Sequence, residues 1–217
     1  MNATTEHVPA GSRSRFAPLV IAVIFLLPMV GAWVAFTYFP EQMRALGTTN
    51  FGTFIQPPKP VSLEGLERVA GSAPADALFE GKWTYLYLDR SACGERCQSH
   101  LYETRQVRLT QGKEIHRLQR IFVLTDDADL DTLLPFVRAE HPQLTVLRGE
   151  AGELARIGAE LRTDSNDPLS AQRIYVIDPL GRAMMYYEPA RSQEQVLENA
   201  GGMRKDMAKL LHNSKTR

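Results

Sequence analysis

The feature that most constrains the fold of this chain is an apolar run near its N-terminus. Residues 16–39 contain no charged side chain, and a helix of about 20 residues crosses the hydrocarbon core of a bilayer. Pro28 lies inside the run, which a membrane helix tolerates, and Trp33, Tyr38 and Phe39 lie toward its far end, where aromatic rings prefer the interface. The run therefore predicts one transmembrane helix over 16–39.

The charges that flank the run predict its orientation. Arg13 and Arg15 precede it, whereas the glutamate and the arginine that follow it roughly cancel. By the positive-inside rule, residues 1–15 form a cytoplasmic tail and the rest of the chain lies on the other side of the membrane. The alternative is a cleavable signal peptide, because Val30-Gly31-Ala32 offers small residues to a peptidase. The continuation of the apolar run beyond this site favours an uncleaved anchor.

Charge and length limit what the remainder of the chain can be. Lysine plus arginine and aspartate plus glutamate both number 25, so no large basic field is available to hold nucleic acid. A chain of 217 residues has room for one ordinary domain beside the membrane span. Prolines at 57, 58 and 60 are typical of a linker. We therefore expect a linker over residues 40–60 and one domain over residues 61–217.

Within that domain, short apolar runs alternate with amphipathic stretches, which is the pattern of an α/β fold. β-branched and aromatic residues predict strands at 83–89, 121–125, 144–148, 173–178 and 182–187. The last two strands flank Asp178-Pro179-Leu180-Gly181, a turn sequence. These two strands should therefore form an antiparallel hairpin.

Apolar residues at helical spacing predict helices in the gaps between strands. The first helix should cover about 94–110, the next two should include 130–137 and 154–161, and the last should cover about 193–212. Gly201-Gly202 lies inside the last helix and should weaken or bend it. This order of elements predicts a thioredoxin-like fold, in which helices cover both faces of a mixed sheet, preceded by the membrane helix.

The chain has two cysteines, Cys93 and Cys97, directly after the first predicted strand and at the start of a helix. At this spacing in a helix their α-carbons lie about 6 Å apart, within the range that a disulfide tolerates. A disulfide that closes so small a loop adds little to the stability of the fold. The backbone amides at a helix N-terminus, together with Arg90 or Arg96, instead stabilise a thiolate. Cys93 is therefore the expected attacking sulfur, and Cys97, one turn deeper, the expected resolving thiol.

Two other interpretations of the cysteine pair stay open. Two thiolates on one helical face can bind a soft ion such as Cu(I), for which His100, His116 or His141 would be a third ligand. Each of these histidines is more often simply packed or solvated. The other interpretation is an oxidised pair that is chemically inert.

Residues 63 to 212 resemble the Sco/SenC family, the membrane-anchored thioredoxin-fold proteins that help to assemble the copper A centre of cytochrome c oxidase. The resemblance rests on Phe79-Glu80-Gly81-Lys82-Trp83, on Cys93-x-x-x-Cys97, on the stretch from Ile174 to Arg182 and on the N-terminal anchor. It implies a single-pass protein of the inner (cytoplasmic) membrane whose domain faces the periplasm. Cytochrome c oxidase subunit II is the partner, and copper the metal, that the resemblance implies.

The chain departs from the family at two positions. Gln98 stands where a proline usually follows the second cysteine, and Ser170 stands where the family has its copper-binding histidine. A trigonal copper site then lacks a ligand, whereas thiol chemistry requires no cofactor. We therefore expect a thiol–disulfide redox protein that assists assembly of the copper A centre. The alternatives are a Sco-type Cu(I) chaperone with Cys93 and Cys97 as metal ligands, and a non-catalytic assembly factor.

Overall fold

The computed structural model of the chain describes residues 16–39, 50–71, 78–79 and 81–214. The chain divides into two compact units, Met1–Thr49 and Asn50–Arg217. The predicted cytoplasmic tail, 1–15, and residues 40–49 of the predicted linker lie outside the described residues.

The first unit contains the helix α1 (Ala17–Tyr38), which includes Pro28. Its 21 residues Pro18–Tyr38 are long enough and apolar enough to cross a membrane, and none of them is buried within the protein. A core helix of a soluble protein would instead bury one apolar face. α1 is therefore a candidate transmembrane span, as the apolar run predicts.

The second unit is built on one mixed sheet. Its strands are β1 (Thr53–Pro60), β2 (Glu67–Ala70), β3 (Trp83–Asp89), β4 (Leu118–Leu124), β5 (Leu144–Arg148), β6 (Ile174–Ile177) and β7 (Arg182–Tyr187). Their order in the sheet is β1-β7-β6-β3-β4-β5-β2. β3, β4 and β5 run parallel, and the remaining neighbours pair antiparallel. Every residue of β3 is buried, as expected for a central strand that is covered on both faces.

Helices cover both faces of this sheet. They are α2 (Glu95–Leu109), α3 (Leu130–Glu140), α4 (Ala151–Leu161) and α5 (Gln193–Asn213), with a short 3₁₀ helix at Gly112–Arg117. α2, α3 and α5 contribute apolar side chains to the core on one face, and α4 with the segment before β3 fills the core on the other. The predicted thioredoxin-like architecture is therefore confirmed.

The hairpin predicted at the end of the sheet is also confirmed. β6 pairs antiparallel with β7, and a carboxylate oxygen of Asp178 accepts hydrogen bonds from the backbone N–H groups of Leu180 and Arg182, each at 2.9 Å. Gly181 has φ 77°, a conformation that residues with a side chain rarely adopt. The residues that predict the turn are thus the ones that build it.

The predicted linker over 40–60 is wrong for its last third, because Thr53–Pro60 forms β1 at the edge of the sheet. β1 pairs with β7, and the register shifts between Phe54 and Lys59, where two of the prolines lie. Proline has no N–H to donate to a sheet, so it is confined to edge strands and irregular positions, and this strand offers both. The globular unit consequently begins before residue 61.

The last helix, α5, is continuous through both glycines, so Gly201-Gly202 does not break it. A Cβ atom built on Gly202 would lie 2.3 Å from Cγ of Phe51, whereas one built on Gly201 meets no atom within 4 Å. One turn later, the Asp206 carboxylate accepts hydrogen bonds from the backbone N–H groups of Phe51 and Gly52 at 2.9 and 3.0 Å. Gly202 therefore allows the segment before β1 to pack directly on α5.

Substitution of these neighbouring glycines tests this packing. Gly202→Ala is expected to lower the free energy of unfolding by about 1–3 kcal/mol, because the added methyl group must displace the Phe51 ring. Gly201→Ala is the matched control and should raise it by about 0.5–1 kcal/mol, because alanine favours a helix and nothing obstructs it. Denaturant unfolding measures both values. Equal effects of the two substitutions would contradict the proposed role of Gly202.

Candidate redox site at the start of helix α2

The two cysteines lie where the central strand β3 gives way to α2. β3 ends at Asp89, and α2 begins at Glu95 with Gly94 as its N-cap residue. Cys93 and Cys97 are joined in a disulfide, and their α-carbons lie 5.1 Å apart. The structure thus brings together both residues that the sequence identifies as the candidate site.

The two cysteines differ in their access to solvent. Cys93 is half-buried, whereas Cys97 is 2% exposed and belongs to the core between the sheet and α2. A molecule that approaches from solvent therefore meets Cys93 first. This asymmetry suits an attacking sulfur at Cys93 and a resolving sulfur at Cys97.

The start of α2 supplies backbone donors to this region. Gly94 makes no side-chain capping bond, and the first N–H groups of a helix have no partner within the helix itself. The side-chain amide of Gln98 donates a 3.1 Å hydrogen bond to the backbone oxygen of Cys93, which holds the loop against the helix. Free N–H groups and the positive end of the helix dipole stabilise a thiolate at this place.

A polar network centred on Asp89 flanks the disulfide. One carboxylate oxygen accepts hydrogen bonds from the Tyr87 hydroxyl at 2.5 Å and the Gln172 amide nitrogen at 2.8 Å, and the other accepts from the backbone N–H of Arg90. The Gln172 amide oxygen in turn accepts from the Arg96 guanidinium at 3.1 Å. These bonds tie the end of β3, the start of α2 and the loop before β6 to one another.

A cavity of about 330 Å³ opens beside both cysteines and is also lined by Asp89, Arg96 and Gln172. Of the two predicted arginines, Arg90 forms an ion pair with Asp126 at 2.8 Å, whereas Arg96 forms no ion pair with a carboxylate of the described residues and bonds to Gln172 instead. Arg96 is therefore the better source of positive charge for a thiolate. Asp89 and Gln172 are not identified by any sequence motif, because only the fold brings them together.

None of the three candidate histidines is placed to bind a metal ion together with the cysteines. His100 is one turn after Cys97, but it is buried and its ring packs edge-on against Tyr87, with centroids 5.2 Å apart. His141 is buried against Phe136, and His116 lies in the 3₁₀ helix. Across the described ranges, no group of three His, Cys, Asp or Glu residues is placed to hold a metal ion. The donor set therefore does not fit a copper site with three protein ligands.

The loop before β6 does not supply that ligand either. Ser170 is exposed, and its hydroxyl bonds to the carboxylate of Asp167 at 3.2 Å. The residue of this loop that faces the cysteines is Gln172, which adopts φ 53° and has both ends of its amide hydrogen-bonded. An amide oxygen is a hard donor and a poor ligand for a soft ion such as Cu(I).

Two buried titratable groups lie below the disulfide on the inner face of α2. Burial lowers the pKa of His100 to about 4, and the charge of Asp89 opposes this shift while Arg96 adds to it. Burial also raises the pKa of Glu103 to about 8. Neither side chain has a hydrogen-bond partner. At neutral pH the histidine is uncharged and most of the glutamate is protonated, so this face of α2 is close to neutral.

This chain has relatives among known proteins. The family described as "Transmembrane-like, thioredoxin-like, C-terminal domain" matches residues 83–214. "Protein SCO2 homolog, mitochondrial" of Bos taurus is 29% identical over 144 residues, which are 59% of this chain and 54% of that protein. The chain thus spans about half the length of the curated relatives that it matches.

Solved structures of Sco proteins share the fold. Yeast Sco1 is 18% identical, with a TM-score of 0.50 over 79% of this chain and 98% of that chain, and it has also been solved with copper bound. BsSco, described as a member of the Sco family of cytochrome c oxidase assembly proteins with a disulfide switch, is 11% identical, with a TM-score of 0.43 over 70% of this chain and 98% of that chain. The chain therefore belongs to the family of transmembrane-like, thioredoxin-like C-terminal domains and is a Sco/SenC relative.

Proposed function

We propose that this chain is a membrane-anchored thiol–disulfide redox protein, with Cys93 as the attacking sulfur and Cys97 as the resolving sulfur. The observation that carries the proposal is one disulfide between a half-buried Cys93 and a buried Cys97, at a helix N-terminus without a side-chain cap. An inert structural bridge would need neither the accessible sulfur nor the free amides.

The exchange proceeds in two displacements from the reduced pair. The Cys93 thiolate attacks one sulfur of a partner disulfide, forms a mixed disulfide and releases the other partner sulfur as a thiolate. Cys97 then loses its proton, attacks the Cys93 sulfur and releases the second partner sulfur. The partner gains two electrons and, after protonation, two thiols, while this chain ends with the Cys93–Cys97 bond.

The surroundings of the pair favour the first displacement. The free N–H groups at the start of α2 and the guanidinium of Arg96 stabilise negative charge on Cys93. Asp89 and Gln172 hold Arg96 beside the cavity through the bonds described above. These three side chains position the site and take no part in the bond exchange itself.

The proposed place of action is the inner (cytoplasmic) membrane, with α1 as the anchor and the domain on the periplasmic side. The length and composition of α1 support the anchor, and the arginines at 13 and 15 support the orientation. The proposed partner is the copper A cysteine pair of cytochrome c oxidase subunit II. A cysteine pair binds copper as thiolates and not as a disulfide, so an oxidised pair on that subunit must be reduced before its sulfurs can hold the metal.

A copper carrier of the Sco type is the second candidate, because yeast Sco1 has been solved with copper bound. Here the reduced cysteines would be the only soft donors, since the described loop offers Gln172 rather than a third soft ligand. A non-catalytic assembly factor is a third candidate, and it would tolerate the loss of both sulfurs. The geometry favours the redox role over both.

Electron transfer to subunit II tests the proposal. The reduced full-length chain in detergent is mixed with the oxidised copper-binding domain of subunit II, and the thiols of both proteins are counted by labelling. The chain should lose two thiols for every two thiols that subunit II gains. The double variant Cys93→Ser/Cys97→Ser should transfer none. If subunit II stays oxidised while a small dithiol reduces it readily, the proposal is wrong. Stoichiometric Cu(I) retention against a chelator, lost in the double variant, would favour the carrier.

A further inference from the structure

A groove with a volume of about 910 Å³ runs between α2, α3 and the start of α5. Its walls include Gln98 and Tyr102 from α2, Phe136 from α3, and Val196 and Leu197 from α5. A second cavity of about 240 Å³ is lined by Cys93 and also by Gln98 and Phe136. Because the two cavities share these two residues, the groove lies next to the cavity that Cys93 lines.

The groove exposes apolar side chains that nothing in the described structure covers. Leu197 is 76% exposed and Tyr102 is 56% exposed. In the described part of the globular unit, five large hydrophobic side chains are at least 48% exposed, namely those of Phe51, Tyr102, Leu109, Leu180 and Leu197. Two of these five line one groove beside the candidate site. Exposed apolar side chains grouped in this way mark a surface that binds another molecule.

The charges of the groove indicate what that molecule carries. Glu95 and Glu140 line it, and Asp129 lines the adjoining cavity, whereas no lysine or arginine among the described residues lines either one. The imidazole of His141 also lines the groove and is uncharged at neutral pH, because burial with help from Arg120 and Arg105 lowers its pKa to about 4. The groove therefore attracts cations and repels anions.

We propose that this groove docks the polypeptide segment that flanks the reacting cysteine of the redox partner, and that the segment carries apolar anchors next to lysine or arginine. This inference rests on the proposed thiol–disulfide function. The groove leads away from Cys93, so the anchors lie in the same extended segment as the cysteine that Cys93 attacks. Tyr102 and Leu197 receive the apolar side chains, and Glu95 and Glu140 pair with the basic ones.

Disulfide exchange with short peptides tests the docking. Each peptide has one cysteine, activated as a mixed disulfide with thionitrobenzoate, followed by leucine and lysine, by leucine and glutamate, or by serine and lysine. The reduced full-length chain releases the coloured thiol at a rate that reports docking. Dithiobis(nitrobenzoate), which carries no peptide segment to dock, reports the reactivity of the sulfurs alone.

The leucine–lysine peptide should react about tenfold faster than the other two, which corresponds to about 1.4 kcal/mol, the value of one well-placed anchor. Leu197→Ser should remove most of that advantage and leave the rate with dithiobis(nitrobenzoate) unchanged. Leu180→Ser is the matched control, because Leu180 is also 76% exposed but lies in the β6–β7 turn. It should change neither rate. Glu140→Lys should reduce the preference for lysine over glutamate.

Several results would overturn the docking proposal. Equal rates for the three peptides, or an unchanged peptide rate in Leu197→Ser, would show that the groove does not bind the partner segment. Dimers of the natural chain that dissociate in Leu197→Ser would show that a second copy of the chain occupies the groove. Faster reaction of the peptides after deletion of residues 42–47 would show that this segment of the same chain occupies it. A reduced chain that fails to react even with dithiobis(nitrobenzoate) would overturn the proposed function as well.

Discussion

Cys93→Ser is expected to abolish disulfide exchange, with a fall in rate of about a thousandfold or more, because the covalent route loses its nucleophile. Cys97→Ser should behave differently. Its Cys93 still attacks the partner, but no second thiol resolves the product, so the mixed disulfide accumulates. Non-reducing electrophoresis and mass spectrometry of the adduct distinguish these outcomes, since only Cys97→Ser should retain the partner.

The contrast between the two variants tests the assignment of roles. The unequal burial of the two cysteine residues predicts that the adduct forms at Cys93, and peptide mapping locates the bond. Gln106→Ala, which shortens a side chain near the end of the same helix and leaves both sulfurs in place, is a suitable control and should exchange normally. An adduct that forms at Cys97 in Cys93→Ser as readily as at Cys93 in Cys97→Ser would contradict the assignment.

The stability of the domain should reach a maximum near pH 6.5, because buried groups on α2 and beside it titrate with opposite effects. Burial lowers the pKa values of His100 and His141 from 6.5 to about 4. Between these values the unfolded chain binds more protons, so the stability that the neutral histidines contribute is complete above pH 6.5 and is lost as pH falls toward 4. Burial raises the pKa of Glu103 from 4.5 to about 8. Here the folded chain binds more protons, so stability falls as pH rises from 4.5 to 8.

Glu103→Gln should therefore remove the decline above pH 6.5. At pH 8 the variant should be more stable than the natural chain by about 2–4 kcal/mol, since each pKa unit corresponds to about 1.4 kcal/mol. Unfolding by urea at pH 5, 6.5 and 8 measures the effect. Glu198→Gln, at an exposed position of α5, is the matched control and should keep the natural profile. A natural chain whose stability stays constant from pH 6.5 to 8 would contradict the burial of an ionisable Glu103.

Local sequence patterns predict the parts of the fold that depend on local chemistry. The aromatic residues of the stretch Trp83–Asp89 predict a strand, and the structure has β3 at these residues. The turn at 178–181 predicts the β6–β7 hairpin because its residues fit the turn without help from the rest of the protein. The cysteine spacing likewise predicts a feasible disulfide from helix geometry alone.

The features that the sequence does not predict depend on residues far apart in the chain. Gln172 reaches Asp89 across 83 positions, and Asp206 reaches Phe51 across 155. β4 begins at Leu118, three residues before the predicted strand. The prediction begins too late because Arg120 is buried, whereas a charged residue in an alternating pattern indicates a solvent-facing position. The edge position of β1, which permits its prolines, is likewise a property of the assembled sheet. No local pattern contains this information.

Redox equilibration of the full-length chain in detergent tests the central claim most directly. The chain is incubated with mixtures of reduced and oxidised dithiothreitol, and the free thiols are then trapped by alkylation and assigned by mass spectrometry. We predict one reversible two-electron transition, reached from both directions, in which Cys93 of the reduced chain is alkylated before Cys97. A disulfide that is reduced only after the domain unfolds, or a reduced chain in which Cys97 reacts first, would contradict the account.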